Sequence, residues 1–237
     1  MKPLLTLLLI LSLGIASGQN FQYPDVIKEG KNISDFVPNG WMLRDSVSGD
    51  LNNDKHKDLV IVLQHNDSVT LINQMIGDDN DTVKTQPRIL LILFRDTVSN
   101  TFVVAEQSNT FIMNHDNPMM EDPYQSVKIR KGVLDIEFEM FYNMGSWEVT
   151  NTTYKFRYQN RNFVLIGAEN YIYNRGSMDY IDYSFNFLTK KWSLTTGGDD
   201  SKQKPKTEWN TLDLKELRTL KTLISPYLWE VAPDIYL

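Results

Sequence analysis

Residues 133–142 read VLDIEFEMFY, and apolar and acidic side chains alternate along most of this stretch. Successive side chains of a β-strand point to opposite faces of the sheet, so this alternation predicts a strand with one buried face. The apolar side chains on the predicted buried face are Leu134, Ile136, Phe138 and Met140. The acidic side chains on the other face are Asp135, Glu137 and Glu139. Residues 127–131 precede this strand across Gly132, which predicts an antiparallel hairpin.

Strand patterns extend in both directions from this hairpin. The runs LVIVL (59–63) and RILLILF (88–94) are continuously apolar, which indicates strands buried on both faces. The chain is therefore predicted to be mainly β, with about ten strands in an antiparallel sandwich or open barrel, because short turns join most of the strands. Further predicted strands are residues 101–107, 110–113, 147–158 and 180–188.

The C-terminal part of the chain has a different pattern. Leucines recur at steps of three, the spacing of one face of a helix, and Asp213 with Glu216 resembles a capping box. We therefore predict an amphipathic helix over about residues 212–225, ended by Pro226. Its apolar face is expected to cover an open face of the sheet, although a helix that binds a partner chain has the same pattern. The predicted apolar face consists of Leu214, Leu217, Leu220, Leu223 and Ile224.

The N-terminus has the features of a cleaved signal peptide over residues 1–18. Lys2 is followed by an apolar stretch of about 12 residues, and Ala16 and Gly18 place small residues before a predicted cleavage at Gln19. A membrane anchor is the alternative, but the stretch is shorter than the roughly 20 residues that span a bilayer. The chain has no cysteine and so cannot carry a lipoprotein anchor. We expect a secreted or periplasmic protein with one β-rich domain over residues 19–237 and no membrane span after cleavage.

Composition excludes several classes of function. The formal charge of −6 and a pI near 5.1 argue against binding to nucleic acid. The absence of cysteine excludes disulfide scaffolds, thiol nucleophiles and cysteine zinc sites. The sequence contains no G-x-S-x-G, P-loop or H-E-x-x-H motif, so no residue is assigned a catalytic role.

The stretch GDLNNDKHKDL, residues 49–59, is the one segment whose spacing indicates a binding chemistry, and we call it the acidic loop. Calcium prefers six to eight oxygen ligands, and a tight loop can direct alternate side chains toward one point. Side-chain oxygens stand at loop positions 1, 3, 5 and 9, and the carbonyl of His56 would fill position 7. A plain turn, in which these side chains bind their own backbone, is the alternative. The side-chain ligands would be Asp50, Asn52, Asp54 and Asp58.

The acidic loop resembles the calcium loop of FG-GAP and VCBS-type repeats, whose pattern is D-x-[DN]-x-D-G-x-x-D-[LI]. The resemblance covers about 14 residues and implies a structural Ca²⁺ ion bound ahead of a strand. More loosely, the whole chain is similar to secreted bacterial β-rich proteins that carry one such loop. The chain departs from the pattern at position 6, where Lys55 replaces a glycine in a turn that needs a positive φ.

Other polar and aromatic groups have two interpretations each. Residues 78–81 contain three aspartates that could bind a second ion, but consecutive acids in a loop are usually solvated. The acidic face of residues 133–142 could include a glycosidase pair or be a solvated strand face. Aromatic residues in the later strands could stack on a sugar or belong to the core. These aromatic residues are Tyr171, Tyr173, Tyr180, Tyr183 and Trp192.

These observations predict an exported, non-catalytic binding or structural module with an envelope or extracellular partner. The alternative is a secreted hydrolase acting on glycans or peptides, with its site in the loops at 66–88 and 114–123. A structural subunit whose C-terminal helix docks on another chain is a third possibility.

Overall fold

The computed structural model describes residues 21–72, 82–198 and 204–237, so the predicted signal peptide and the aspartates of residues 78–81 lie outside the described residues. The regular elements among the described residues are one short 3₁₀ helix, Ile33–Phe36, and sixteen strands. The strands are β1 (Glu29–Gly30), β2 (Trp41–Gly49), β3 (Asp58–His65), β4 (Val69–Ile72), β5 (Thr82–Thr85), β6 (Arg88–Asp96), β7 (Thr101–Ser108), β8 (Tyr124–Arg130), β9 (Val133–Phe141), β10 (Glu148–Gln159), β11 (Asn162–Asn174), β12 (Tyr180–Asn186), β13 (Lys191–Gly197), β14 (Lys206–Thr211), β15 (Glu230–Ala232) and β16 (Ile235–Tyr236).

The protein is mainly β, as predicted, and its strand pairs are antiparallel. One sheet has five strands in the order β1-β7-β6-β3-β2, and another has seven in the order β14-β13-β12-β11-β10-β9-β8. Two small sheets are β15-β16 and β4-β5. None of the sheets in the described ranges closes into a barrel. In the seven-stranded sheet every strand pairs with its neighbour in sequence.

The predicted hairpin of β8 and β9 is confirmed. Lys131 and Gly132 form its two-residue turn with φ of 51° and 75°. Asn160 and Arg161 connect β10 and β11 in the same manner, with φ of 51° and 63°. Positive φ at both turn residues matches the right-handed twist of the flanking strands, which is why these turns favour tight hairpins.

The two continuous apolar runs are buried on both faces, as predicted. From β3, Val60 and Val62 point into the main core, where they meet apolar side chains of the seven-stranded sheet. Ile61 and Leu63 point the other way, into a second cluster that Phe36 and other apolar residues of the N-terminal segment cover. The side chains of β6 divide in the same way. The five-stranded sheet therefore has protein on each face, which explains why these strands do not alternate.

The two large sheets approach each other closely where β2 meets β8. Tyr124 at the start of β8 donates a hydrogen bond from its hydroxyl to Asp45 Oδ2 of β2, at 2.7 Å. A β-carbon on Gly49, at the end of β2, would lie 2.6 Å from Cγ2 of Ile129. Only glycine fits this close approach without displacing β8.

The prediction of a C-terminal helix over residues 212–225 is wrong, because no α-helix occurs in the described residues. The segment is irregular: its backbone bonds to itself in a turn, where the Leu223 amide donates to the Thr219 carbonyl at 2.9 Å, and it bonds to β11 at the beginning of that turn. The Leu165 amide donates to the Arg218 carbonyl, and the Leu220 amide donates to the Phe163 carbonyl, both at 2.8 Å. This edge of β11 is open because β12 begins its pairing with β11 only at Gly167. The edge satisfies backbone groups that a helix would have satisfied internally.

The leucines of this segment nevertheless cover the sheet. Leu220 and Leu223 are buried in the main core, and Leu214 and Leu217 pack against it. The apolar spacing therefore indicated which side chains are buried, although it did not indicate the backbone conformation. The predicted strand at residues 110–113 is also wrong, since the chain there is irregular although Phe111 and Ile112 are buried.

Candidate functional site

The acidic loop connects β2 to β3 and is held by hydrogen bonds from its own side chains to its backbone. Asp50 Oδ1 accepts from the Asn53 amide at 2.7 Å, and Asp50 Oδ2 accepts from the Lys55 amide at 2.9 Å. Asp54 Oδ1 accepts from the amide of His56 at 2.7 Å. These are the hydrogen bonds of an Asx-rich turn. Each carboxylate oxygen has two lone pairs, so accepting one amide leaves it able to contact a cation as well.

The side chain of Asn52, between Asp50 and Asp54, also bonds within the loop. Its Oδ1 accepts from the Asp54 amide, and its Nδ2 donates to Asp54 Oδ2, both at 3.0 Å. The side chain of Asn52 therefore links loop positions 3 and 5 directly.

Lys55 has a φ of 73°, so the chain at loop position 6 does adopt the left-handed turn in which the FG-GAP pattern has glycine. Asn53 is also left-handed, with a φ of 63°. A non-glycine residue in this region costs roughly 1 kcal/mol. The loop keeps the turn despite this cost because Asp50 binds the amides of both Asn53 and Lys55.

Asp58, at loop position 9, is fully buried where the loop enters β3. Its Oδ2 accepts from the Leu51 amide at 2.8 Å, and its Oδ1 accepts from the Arg95 amide at 3.0 Å. Burial raises the pKa of the Asp58 carboxyl, these two hydrogen bonds offset part of that increase, and the charges of Asp54 and Asp50 raise it further. By contrast, loop residues 53–57 are all exposed.

The predicted ligands Asp50, Asn52, Asp54 and Asp58 all belong to this short loop, and His56, whose carbonyl is the fifth predicted ligand, lies between Asp54 and Asp58. Among the described residues, no group of three or more His, Cys, Asp or Glu side chains has an arrangement that could hold a metal ion. The hydrogen bonds of the loop are compatible with both predicted interpretations, the calcium loop and the plain turn.

The two loops that the hydrolase alternative requires do meet, but their polar groups bind each other. The Thr85 hydroxyl donates to the His115 carbonyl at 3.1 Å, and one ring nitrogen of His115 lies 2.7 Å from the Met120 carbonyl. Arg88 forms a two-point ion pair with Asp122, at 2.8 and 2.5 Å. Burial raises the pKa of Asp116. Asp122 thus holds the loop against β6, and the His115 carbonyl holds it against β5.

The predicted acidic face of β9 is only partly solvated. Asp135 is buried and burial raises its pKa. Glu137 accepts from the Ser126 hydroxyl at 2.7 Å and pairs with Lys128. Burial alone would raise the pKa of Glu137, but its bonds to Lys128 and Ser126 outweigh it and lower that pKa. An ion pair with the neighbouring strand β8 thus accounts for Glu137.

The aromatic residues of the later strands divide between the two faces of the sheet. Tyr183 and Trp192 pack against the main core, as the core interpretation predicted. Tyr171 is exposed on the opposite face and stacks on Tyr180 with ring centroids 5.5 Å apart.

Two features escaped the sequence analysis. Arg88 is a buried cation, and the sequence places it only at the beginning of an apolar run. Asn170 is buried beneath a cleft between β11 and the C-terminal segment. The surroundings of Arg88 and of Asn170 both consist of residues distant in sequence. An arginine at the first position of a buried strand could nevertheless have indicated a carboxylate partner.

Comparisons with family models, curated proteins and solved structures give no match to this chain. The resemblance of the acidic loop to FG-GAP repeats therefore remains a prediction made from the loop residues. Within the parts of the chain that the structure describes, no helix is both long and apolar enough to cross a membrane.

Proposed function

We propose that this protein is an exported, non-catalytic binding or structural module whose acidic loop holds a structural Ca²⁺ ion. The observation that carries the proposal is the concentration of three carboxylates in the loop that leads into the buried strand β3. The ligands would be the side chains of Asp50, Asn52, Asp54 and Asp58 and the carbonyl of His56, an oxygen set of the kind Ca²⁺ prefers.

The role of the ion would be electrostatic and structural. The raised pKa of Asp58 reflects the cost of ionising a buried carboxyl near Asp50 and Asp54. A divalent cation would neutralise these charges and fix the beginning of β3, so that binding stabilises the folded state. We further infer that the two large sheets are the layers of a sandwich, because their facing side chains share the main core.

Calcium at 5 mM should raise the melting temperature of the protein by about 5 °C or more if the ion binds with a dissociation constant well below that concentration. The shift should disappear in Asp50→Ala and in Asp54→Ala. Each variant is compared with itself with and without calcium by differential scanning calorimetry, so any loss of stability from the broken turn cancels.

Asp96→Ala is the matched control, because Asp96 also accepts a backbone amide, from Val98 at 2.8 Å, in a turn outside the acidic loop. The Asp96→Ala variant should keep the full calcium-dependent rise in melting temperature. A flat isothermal titration with calcium at 5 mM, together with an unchanged melting temperature, would leave the loop as a plain turn.

Export should yield a chain that begins at Gln19. We expect the intact mass of the full chain, expressed in a secretion-competent bacterial host, to match cleavage between Gly18 and Gln19. Ala16→Arg, which places a large charged residue three positions before the cut, should prevent processing. A wild-type product that keeps Met1 would contradict the signal peptide.

A further inference from the structure

A cleft of ≈ 240 Å³ opens between the seven-stranded sheet and the C-terminal segment. Met140, Thr150 and Ile172 are directly opposite one another on β9, β10 and β11, and they form one wall. Ile235 and Tyr236 of the C-terminal hairpin form part of the opposite wall. The cleft is therefore bounded by two elements that are distant in sequence.

The floor of the cleft contains a hydrogen-bond chain that orients Asn170. The Tyr227 hydroxyl donates to Thr152 Oγ1 at 2.9 Å, and the Thr152 hydroxyl donates to Asn170 Oδ1 at 3.1 Å. Thr152 accepts from Tyr227 and donates its one hydroxyl proton to Asn170 Oδ1, so the oxygen of the Asn170 amide faces Thr152. The Asn170 Nδ2 group is then the part of the side chain that remains as a donor.

Asn170 is only 6% exposed as a residue, and its Nδ2 group, which has no protein partner among the described residues, is the part of the side chain that stays open to the cleft. Asn170 lines the cleft, so an acceptor atom on a bound molecule would provide that partner. A ligand with an oxygen acceptor at its inner end would replace the water that this donor can otherwise contact, so the floor of the cleft favours such a ligand.

The rest of the lining limits the chemistry of that ligand. Met140, Ile172 and the ring of Tyr183 offer apolar contact to the body of a molecule. Asp234 is the one formally charged side chain among the described lining residues, and it is exposed at the cleft. A carboxylate there would repel an anionic ligand. The cleft has about the volume of eight water molecules, which suits a single ring with one or two substituents.

We propose that this cleft binds a small neutral molecule with an aromatic or short aliphatic body and a carbonyl or hydroxyl oxygen that accepts from Asn170 Nδ2. Thr152 is a positioning residue that fixes the orientation of the Asn170 amide. The site is independent of the acidic loop. Gly132, whose β-carbon position lies 3.5 Å from Asn53 Oδ1, precedes β9, whereas Met140 lies near the other end of that strand, about 25 Å away.

The test uses benzamide as the probe, with ligand-observed NMR and a two-dimensional ¹H–¹⁵N spectrum of the protein. Benzamide should bind with a dissociation constant near or below 1 mM and should shift the side-chain NH₂ signals of Asn170. Benzoate has the same shape with a negative charge and should bind at least tenfold more weakly. Toluene lacks the acceptor and should also bind more weakly.

Asn170→Leu should reduce benzamide affinity about tenfold, because the variant loses the donor but keeps a side chain of similar size. Asn151→Leu is the matched control on the exposed face of β10 and should bind as the wild type does. If Asn170→Leu does not fold, the response of the Asn170 NH₂ signals in the wild-type protein decides the question. Failure of benzamide to bind at 10 mM, equal binding of benzoate, or tighter binding of methyl β-glucoside would overturn the proposal.

Discussion

Replacing Arg88 with methionine is expected to lower the free energy of unfolding by about 3 kcal/mol, the lower end of the range for breaking a buried ion pair. The Arg88 side chain is only 2% exposed. Its guanidinium donates to both carboxylate oxygens of Asp122, to the Met113 carbonyl at 2.6 Å and to Gln64 Oε1 at 3.1 Å. Methionine would fill the space but leave all these acceptors without their donor. The effect falls at the lower end because Asp122 would keep contact with water and with Arg44.

Urea unfolding of Arg88→Met and Arg44→Met measures this difference. Arg44 contacts the same carboxylate at 2.6 Å, but its side chain is 30% exposed, so its loss should cost at most about 1 kcal/mol. Equal effects of the two variants would show that burial of Arg88 does not control the strength of the pair.

The Arg88–Asp122 ion pair also predicts how the stability of the protein depends on pH. Burial alone would raise the pKa of Asp122, but its hydrogen bonds with Arg88 and the charges of Arg88 and Arg44 outweigh it and lower that pKa. A carboxyl whose pKa is lower in the folded state contributes stability above its unfolded pKa, and this contribution is lost as the pH falls through the folded pKa. The loss of stability between pH 5 and pH 3 should therefore be smaller in Arg88→Met than in the wild-type protein.

Phe111→Ala is expected to destabilise the protein by about 3–5 kcal/mol, the range for removing a buried phenylalanine side chain. Phe111 is fully buried in the main core, although the chain around it is irregular. Its ring packs edge-to-face on Tyr154, Phe156 and Phe138, with centroid distances of 5.3, 5.2 and 6.1 Å. Alanine would leave a cavity lined by these rings, which the neighbouring strands cannot close without moving.

The measurement is again urea unfolding, with Trp209→Ala as the control. Trp209 is a larger aromatic residue, but it is 73% exposed on β14, so its removal should change stability by no more than about 0.5 kcal/mol. A small effect of Phe111→Ala would mean that the irregular segment after β7 contributes little to the main core.

Local pattern was sufficient to predict most of the strands. The alternation of residues 133–142 identified β9 and its buried face, and the continuous apolar runs identified β3 and β6 as buried on both faces. The side chains of the acidic loop could be assigned to one candidate site because nine consecutive residues carry them all. Even the left-handed turn at Lys55 was indicated by the position that it occupies in the loop.

The C-terminal segment shows where local pattern failed. Its leucine spacing correctly indicated burial of Leu220 and Leu223 but wrongly predicted a helix. The deciding factor was the open edge of β11, which offers hydrogen-bond partners to residues 218–220 from more than 50 positions away. A period of three or four residues contains no information about such an edge.

The sequence by itself determined most of the stretches that are strands, which side chains are apolar enough to be buried, and which loop concentrates carboxylates. The tertiary structure alone decided that Arg88 meets Asp122, that Phe111 packs on the aromatic rings of β9 and β10 in the main core, and that the Asn170 Nδ2 group faces a cleft. The physical reason is the separation along the chain of the residues that determine each property. Strand geometry depends on neighbours two residues apart, whereas burial, ion pairing and hydrogen-bond satisfaction depend on surfaces that only the folded chain brings together.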